Sequence, residues 1–361
     1  MLDFAGDIER VLDTRETAES NGLRYVRDDS PGIRRKKAGK GFAYLLPSGA
    51  RLADPRVLRR RKSLAVPPAW TDVWLCPSAY GHVQATGRDA RGRKQYRYHA
   101  AFREMRESAK FEHLFAFAQA LPTIRTRVAE HMARRGLARE KVLATVVHLL
   151  ETTLIRVGND DYAKHNKSYG LTTLKSRHVA IDGSEIRFRF TGKSGKQWSL
   201  KLRDRRVAKI IRACQELPGQ ELLQYFDESG KLRAVTSSDV NAYLKEITGR
   251  DVTAKDFRTW AGTVLAALAL KEFEIFNTIA EAKRNLRATI AQVAVRLGNT
   301  PTICRKCYIH PEVLKAYLAG KLMLEVEEKI ETQQADELGL LQPEEAALLA
   351  MLRTRLGETV V

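Results

Sequence analysis

The chain has 361 residues, 44% hydrophobic and 29% charged, with 62 Lys and Arg against 43 Asp and Glu for a net charge of +19. The length suggests two domains and the composition a folded, soluble protein, while the basic surplus points to a polyanion, nucleic acid before an anionic membrane. No apolar run reaches the ~18 residues of a spanning helix, and Met1-Leu2-Asp3-Phe4 carries no signal-peptide pattern, so the expected setting is the cytoplasm.

Residues 1–20 read as a short polar helix or a loose arm. From Leu23 the texture is that of strands. Leu23–Val26, Phe42–Leu46, Val73–Cys76 and His82–Thr86 are short runs separated by Pro, Gly and Ser turns, which predicts a small antiparallel sheet. The stretch Asp54–Leu64 reads as a helix within it. Residues 34–62 hold eleven Lys or Arg and one acid, Asp54. From Gly87 to His99, Arg93 and Lys94 interleave with Gln95, Tyr96 and Tyr98. Basic groups neutralise phosphates, Gln matches an adenine edge and Tyr packs on sugar or base. On its own such a hairpin is usually just solvated.

After Tyr98 the texture turns helical, which places a domain boundary near residue 100. Phe111, Leu114, Phe115, Ala118 and Leu121 repeat at helical spacing until Pro122, where an interruption is expected. A second helix starts near Arg139, with Val142, Val146, Leu149, Leu150 and Thr153 inward, and is expected to run to Ile155-Arg156-Val157 with Gly158 as its stop. Arg156 then sits at a helix end, where a basic group also suits the dipole. Thr172–Ile181 and Ser184–Thr191 are expected to pair across Asp182-Gly183, a strong hairpin signal, with Gln197–Leu202 as a third strand.

The tip Gly192-Lys193-Ser194-Gly195-Lys196 looks like a phosphate loop but is not one. Arg187 stands where the first glycine belongs, and Gln197-Trp198-Ser199-Leu200 follows where a helix is needed. No nucleotide cofactor is therefore expected. Helices are predicted again over Val207–Cys214, Ser238–Thr248, Thr253–Leu270 and Ala280–Leu297, where Gly298 is a stop and Thr300-Pro301 a start. From Lys315 one or two amphipathic helices follow. Residues 321–361 hold nine acids and four basic groups, a tail better placed in solvent than on a polyanion.

The four cysteines, Cys76, Cys214, Cys304 and Cys307, are too few and scattered for a disulfide framework and read as free thiols. Cys304-x-x-Cys307 lacks a second Cys or His pair, so no metal site is expected.

Arg156, Lys193, Arg258 and Tyr308 stand out at long spacing. A lone helical tyrosine is ordinarily a core residue. Phosphodiester transfer to a tyrosine, however, needs this set. A free phenol titrates near 10 and needs cations beside it to act as phenolate. Two guanidiniums can hold the non-bridging oxygens as negative charge gathers there. The departing sugar oxygen needs a proton, which a lysine at a hairpin tip can deliver. Two arginines doing the electrostatic work make a metal unnecessary.

At these residues the chain resembles the type IB DNA topoisomerases of the small poxvirus-like and bacterial kind, over roughly residues 20–320. Ile155-Arg156-Val157-Gly158 with Gly170-Leu171-Thr172-Thr173-Leu174-Lys175 resembles the first-arginine block. Phe190–Lys196 resembles the lysine hairpin, and Thr253–Trp260 the second-arginine block. Leu297–Pro301 through Tyr308 resembles the tyrosine block, and Gly87–Tyr98 the hairpin that enters the major groove. Each block is weak alone; five in order are specific. The resemblance implies an α+β multidomain fold. A small antiparallel β N-terminal DNA-binding domain (1–100) precedes a mainly α-helical catalytic domain (101–361) that carries a three-stranded β-hairpin sheet.

The resemblance further implies ATP-independent relaxation of supercoiled DNA through a 3′-phosphotyrosine on Tyr308. Arg156 and Arg258 hold the phosphate and Lys193 protonates the 5′ oxygen. Asn299 donates a hydrogen bond where viral members carry His. Gln95, Tyr96, Tyr98, Arg93, Lys94 and Lys255 touch DNA. The implied partner is duplex DNA, gripped by a monomeric clamp at the nucleoid. A tyrosine recombinase shares the chemistry, but that family typically has His-x-x-Arg where this chain has Lys255-Asp256-Phe257-Arg258, and it usually lacks the amino-terminal β domain.

Overall fold

The computed structural model describes residues 15–356 apart from 17, 21, 40, 91, 274–275 and 323–340. Most of the expected amino-terminal arm and more than half of the acidic tail therefore lie outside the described residues. The chain divides into two compact units, Met1–Lys110 and Phe111–Val361.

The first unit is built on an antiparallel sheet in the order β2-β1-β3-β4-β5. Its strands are β1 (Ile33–Ala38), β2 (Gly41–Leu45), β3 (Thr71–Leu75), β4 (Val83–Arg88) and β5 (Lys94–Tyr98). Helix α1 (Pro55–Ser63) starts at Asp54, whose carboxylate accepts from the Arg56 amide at 2.7 Å, satisfying a donor that the first turn leaves open. Ile33, Leu52, Val73, Leu75 and Ala85 form the core on that side, packed by Val57, Leu58 and Trp70. The other face of the sheet buries Trp74, Cys76 and Val83.

Two expectations for this unit change. The run Ile33-Arg34-Arg35-Lys36-Lys37 lacks apolar alternation, yet it is the strand between β2 and β3. Arg35 explains how a basic strand is tolerated there. Its guanidinium donates to the carbonyls of Val66, Pro67 and Trp70 at 3.1, 2.9 and 2.7 Å and lies 4.2 Å from the Phe42 ring. Leu23–Val26 in turn makes no strand beyond a single bridge, Arg24 to Gly81.

The second unit is mainly helical. Helix α2 (Ala100–Ala133) enters it, followed by α3 (Arg139–Thr153) and α4 (Asp160–Asn166). The sheet β6 (Val179–Asp182), β7 (Glu185–Thr191), β8 (Gln197–Arg203) comes next, in that order. After α5 (Arg205–Gln215), the hairpin β9 (Gln224–Phe226) and β10 (Leu232–Ala234) precedes α6 (Ser237–Thr248) and α7 (Ala254–Lys271). Then come α8 (Ile279–Leu297), α9 (Pro301–Cys307), α10 (Pro311–Leu318) and α11 (Pro343–Leu356). None of the described helices is long and apolar enough to cross a membrane.

Helix α3 lies at the centre, with Val142–Val147, Leu149 and Leu150 all buried. It ends at Thr153, before Arg156 and well short of Gly158. Thr153 Oγ accepts from the Ile155 amide at 3.2 Å and Leu154 turns left-handed at φ 57°, which closes the last turn. Pro122 does not interrupt α2. It removes one amide, but Ala118, Leu121 and Ile124 around it are fully buried, and that packing outweighs a cost of about 3 kcal/mol. The expected strand from Thr172 begins only at Val179. Before it, Leu171–Thr173 and Ser176–His178 form 3-10 turns, because the Leu171 and Thr172 amides pair with the carbonyls of Arg156 and Val157 instead of a strand.

Helix α11 belongs to the same core. Glu345 is 8% exposed, pairs with Arg125 at 2.8 Å, and accepts from the Trp260 indole at 2.9 Å. Arg125 also reaches Glu151 at 2.7 Å. Burial works to raise the Glu345 carboxyl, but Arg125, the Gln342 amide and Trp260 together hold it below its ordinary 4.5. A folded-state value below the unfolded one stabilises the protein above about pH 4.5, and that stabilisation is lost as pH falls further. We therefore expect Glu345→Gln to lower stability at neutral pH by about 3 kcal/mol. Denaturant unfolding should show the gap to wild type closing below pH 4.5.

Candidate active site

Helix α7 carries Arg258, 3% exposed, on its buried face. A capping box of Thr253 and Asp256 starts the helix. The Arg258 guanidinium donates to the Leu154 carbonyl and, at 2.5 Å, to the Leu297 carbonyl. These carbonyls lie at the ends of α3 and α8, where a helix has acceptors to spare and a negative dipole end. One buried cation thus ties two helix ends together. Its Nε has no partner among the described residues.

Arg156 follows the end of α3 and is half-buried. Its guanidinium donates to the Gly298 carbonyl at 3.3 Å and to Asn299 Oδ1. Its main chain is held by the Leu171 amide at 2.9 Å. That contact needs a glycine beside it: a Cβ on Gly170 would lie 2.6 Å from the Arg156 carbonyl. Gly158, at φ 111°, supplies the turn that follows.

Tyr308 ends helix α9, which Thr300 caps and Pro301 opens. Arg258 Cζ is 5.2 Å from its ring centre. Burial pushes both arginines below their usual range. Arg258 reaches about 10, with the like charge of Arg156 as its second cause, while Tyr308 works in the opposite direction for both. Both stay charged at neutral pH. Among the described residues their partners are carbonyls, one amide oxygen and the phenol, and none is a carboxylate. Half-buried Arg125, by contrast, has two.

Gly262, one turn beyond Arg258, lets the tyrosine come this close. A Cβ there would meet the Tyr308 carbonyl at 2.4 Å. The neighbouring Thr263 hydroxyl donates to that carbonyl at 3.4 Å and accepts from the His310 amide at 3.2 Å. His310 is buried, and burial pushes it down to about 4, so it is neutral here.

Asn299 follows the left-handed Gly298 that ends α8. With its Oδ1 taken by Arg156, its buried Nδ2 is a donor with no partner among the described residues. The site thus joins Arg156, Arg258, Asn299 and Tyr308. Lys193 is exposed on the 3-10 turn at the tip of the β7–β8 hairpin, apart from the Arg156–Asn299 hydrogen bond. Lys255 is exposed in the first turn of α7.

The other expected contact residues lie in the first unit, on β5 and the turn before it. Tyr96 is 44% exposed and stacks on Tyr98 at 5.8 Å, while Tyr98 packs inward on Phe102. Arg93 pairs with Asp89 at 2.6 Å, and Gln95 donates to the same carboxylate at 3.1 Å. Lys94 pairs with Asp28 at 2.7 Å.

Sequence reading missed Gly262 and Trp198. A glycine inside a helix announces a close approach but not its partner. A tryptophan in a strand reads as ordinary packing. A side chain at Gly192 or Gly298 would strike the Trp198 indole at 2.7 and 2.6 Å.

Residues 99–336 match the family model described as eukaryotic DNA topoisomerase I, catalytic core. Residues 41–89 match that of the bacterial DNA topoisomerase IB, N-terminal domain. The chain is 30% identical over 293 residues to DNA topoisomerase 1B of Acanthamoeba polyphaga mimivirus, covering 79% of this chain and 87% of that protein. Over 234 residues it is 23% identical to DNA topoisomerase 1B of Vaccinia virus (strain Copenhagen), covering 63% and 70%. DNA topoisomerase 1 of Rabbit fibroma virus (strain Kasza) is 24% identical over 265 residues, covering 70% and 79%.

Gly262→Ala should force α7 and the Tyr308 main chain apart. The expected cost is about 1–3 kcal/mol, read by denaturant unfolding; an unchanged midpoint would show that the two backbones separate freely.

Proposed function

The chain belongs to the DNA topoisomerase IB family, and we propose that it relaxes supercoiled duplex DNA without ATP, through a 3′-phosphotyrosine on Tyr308. Tyr308 loses its phenol proton to solvent, and the phenolate oxygen bonds to the scissile phosphorus while the bond from phosphorus to the 5′ oxygen breaks. Arg156 and Arg258 hold the non-bridging oxygens, and Asn299 Nδ2 adds a third donor. The Lys193 ammonium gives its proton to the leaving 5′ oxygen. The phosphodiester's energy is kept in the tyrosyl ester, so the 5′ hydroxyl can reverse the step once the strand has rotated. Neither a nucleotide nor a metal has a role left to fill.

The observation that carries this reading is one buried and one half-buried guanidinium beside a phenol, with no carboxylate partner for either among the described residues. Two like charges out of water are unfavourable alone and become favourable when an anion arrives. A phosphodiester gaining charge in its transition state is such an anion, and the unpartnered Asn299 donor points to the same ligand.

In this reading the protein is a monomeric clamp on duplex DNA, acting in the cytoplasm at the nucleoid. The amino-terminal domain (1–100) supplies Gln95, Tyr96 and Tyr98 to the major groove. Arg93 and Lys94 exchange Asp89 and Asp28 for phosphates. The catalytic domain (101–361) adds Lys255 near the cleaved phosphate.

A duplex with a short 3′ segment beyond the cleavage site traps the adduct, because that segment diffuses away. Wild type should accumulate covalent 3′ adduct, and Tyr308→Phe should form none; adduct with Tyr308→Phe would move the nucleophile elsewhere. On the same duplex, Asn299→Ala should slow cleavage by about 10²–10³-fold. Asn299→His, which keeps a donor, should recover most of that loss.

A further inference from the structure

We infer that Trp198 is a positioning residue: its indole couples the Lys193 hairpin to the Gly298-Asn299 turn and so places the proton donor over the leaving oxygen. This rests on the reading of Lys193 as general acid.

Lys193 sits on a turn that gives it little support of its own. The tip is closed by the Gly192 amide on the Lys196 carbonyl at 2.7 Å and by the Gly195 amide on the Gly192 carbonyl at 3.1 Å. Ser194 and Gly195 are both left-handed, and Lys193 is exposed. An exposed lysine on such a turn keeps wide rotamer freedom. Placing its ammonium against one oxygen needs a fixed base.

Trp198 provides that base. It is the second residue of β8, half-buried, and its ring stacks parallel on Phe190 of β7 at 5.9 Å and 4°. The Nε1 edge of the indole meets two different glycines. A Cβ at Gly192, the residue before Lys193, would lie 2.7 Å from Cδ1 and Nε1. A Cβ at Gly298, the residue before Asn299, would lie 2.6 Å from Cζ2.

Gly192 has φ −96°, which any residue adopts, so clearance for the indole is its one structural demand. One rigid ring therefore spans from the backbone beside the proton donor to the backbone beside the phosphate-holding amide. That second backbone also carries the carbonyls of Leu297 and Gly298, which hold Arg258 and Arg156. A shift of the hairpin against the Gly298-Asn299 turn changes the distance from Lys193 to the phosphate and leaves the arginines in place.

The step affected is specific. Tyr308 gives its phenol proton to solvent; as the phenolate oxygen bonds to phosphorus, the bond to the 5′ oxygen breaks and a proton passes from Lys193 Nζ to that oxygen. If sulfur replaces the 5′ bridging oxygen, it leaves as a stable thiolate and needs no proton. A defect in proton delivery then disappears, and a defect in folding, DNA binding or phosphate holding does not.

The experiment measures single-turnover cleavage of two duplexes, one with the ordinary phosphodiester and one with a 5′ bridging phosphorothiolate. Wild type, Lys193→Ala, Trp198→Ala, Trp198→Phe and Gly192→Ala are compared. On the ordinary duplex, Trp198→Ala and Gly192→Ala should lose about 10²-fold, the scale of a ~1 Å misplacement. Trp198→Phe should lose less. On the phosphorothiolate all three should return to within a few-fold of wild type, as should Lys193→Ala.

Recovery of Lys193→Ala without recovery of Trp198→Phe or Gly192→Ala would overturn the inference while leaving the general acid in place. Failure of Lys193→Ala to recover would remove the reading of Lys193, and the inference with it. Trp198→Phe and Gly192→Ala keep the test decisive if Trp198→Ala does not fold.

Discussion

A buried guanidinium whose acceptors are two helix ends is the constraint on which this structure turns. Arg258 occupies spare carbonyls at Leu154 and Leu297 and so fixes α3 against α8. The bonds are local and backbone-directed, so they satisfy the group without neutralising it. That distinction separates Arg258 from Arg125, which is half-buried and matched by Glu151 and Glu345. The fold uses one arginine as cement and holds the other as a charge in waiting. With Arg156 alongside, the catalytic unit carries a positive centre whose natural complement is an anion from outside the chain.

Around that centre, geometry is set more by what is absent than by what is attached. Gly170 lets a turn touch the Arg156 main chain, and Gly262 lets α7 touch that of Tyr308. Gly192 and Gly298 admit the indole of Trp198. Each contact brings a backbone segment closer than any side chain would permit, so each functional group is placed by rigid main chain rather than by long flexible side chains. Preorganised donors of this kind cost little reorganisation when charge develops, which is why they are effective in catalysis.

The sequence shows the helix ends that carry the site. Gly298 followed by Thr300-Pro301, and Thr253 three residues before Asp256, are stop and start signals with a backbone reason, and they lie beside Asn299, Tyr308 and Arg258. The β7–β8 hairpin was legible from strand texture and its glycine-rich tip. What stayed hidden depends on long-range packing. Leu154 takes a left-handed conformation that nothing local demands, which ends α3 before Arg156. Pro122 sits inside a helix because its neighbours are fully buried. The strand Ile33–Ala38 is paid for by carbonyls some thirty residues away. Tyr308 as the partner of Gly262, and Gly298 as the second glycine of Trp198, lie too far along the chain for spacing to reveal them.

The central claim is that Arg258 acts on the charge of a phosphate's non-bridging oxygens. Its most direct measurement is single-turnover cleavage by wild type and Arg258→Ala on two duplexes, one with the ordinary scissile phosphodiester and one with a methylphosphonate, whose neutral methyl replaces a non-bridging oxygen. The loss caused by Arg258→Ala should be large on the phosphodiester, about 10²-fold or more, and should shrink to a few-fold on the methylphosphonate. An equal loss on both would contradict the account and leave Arg258 as a structural tie between two helix ends.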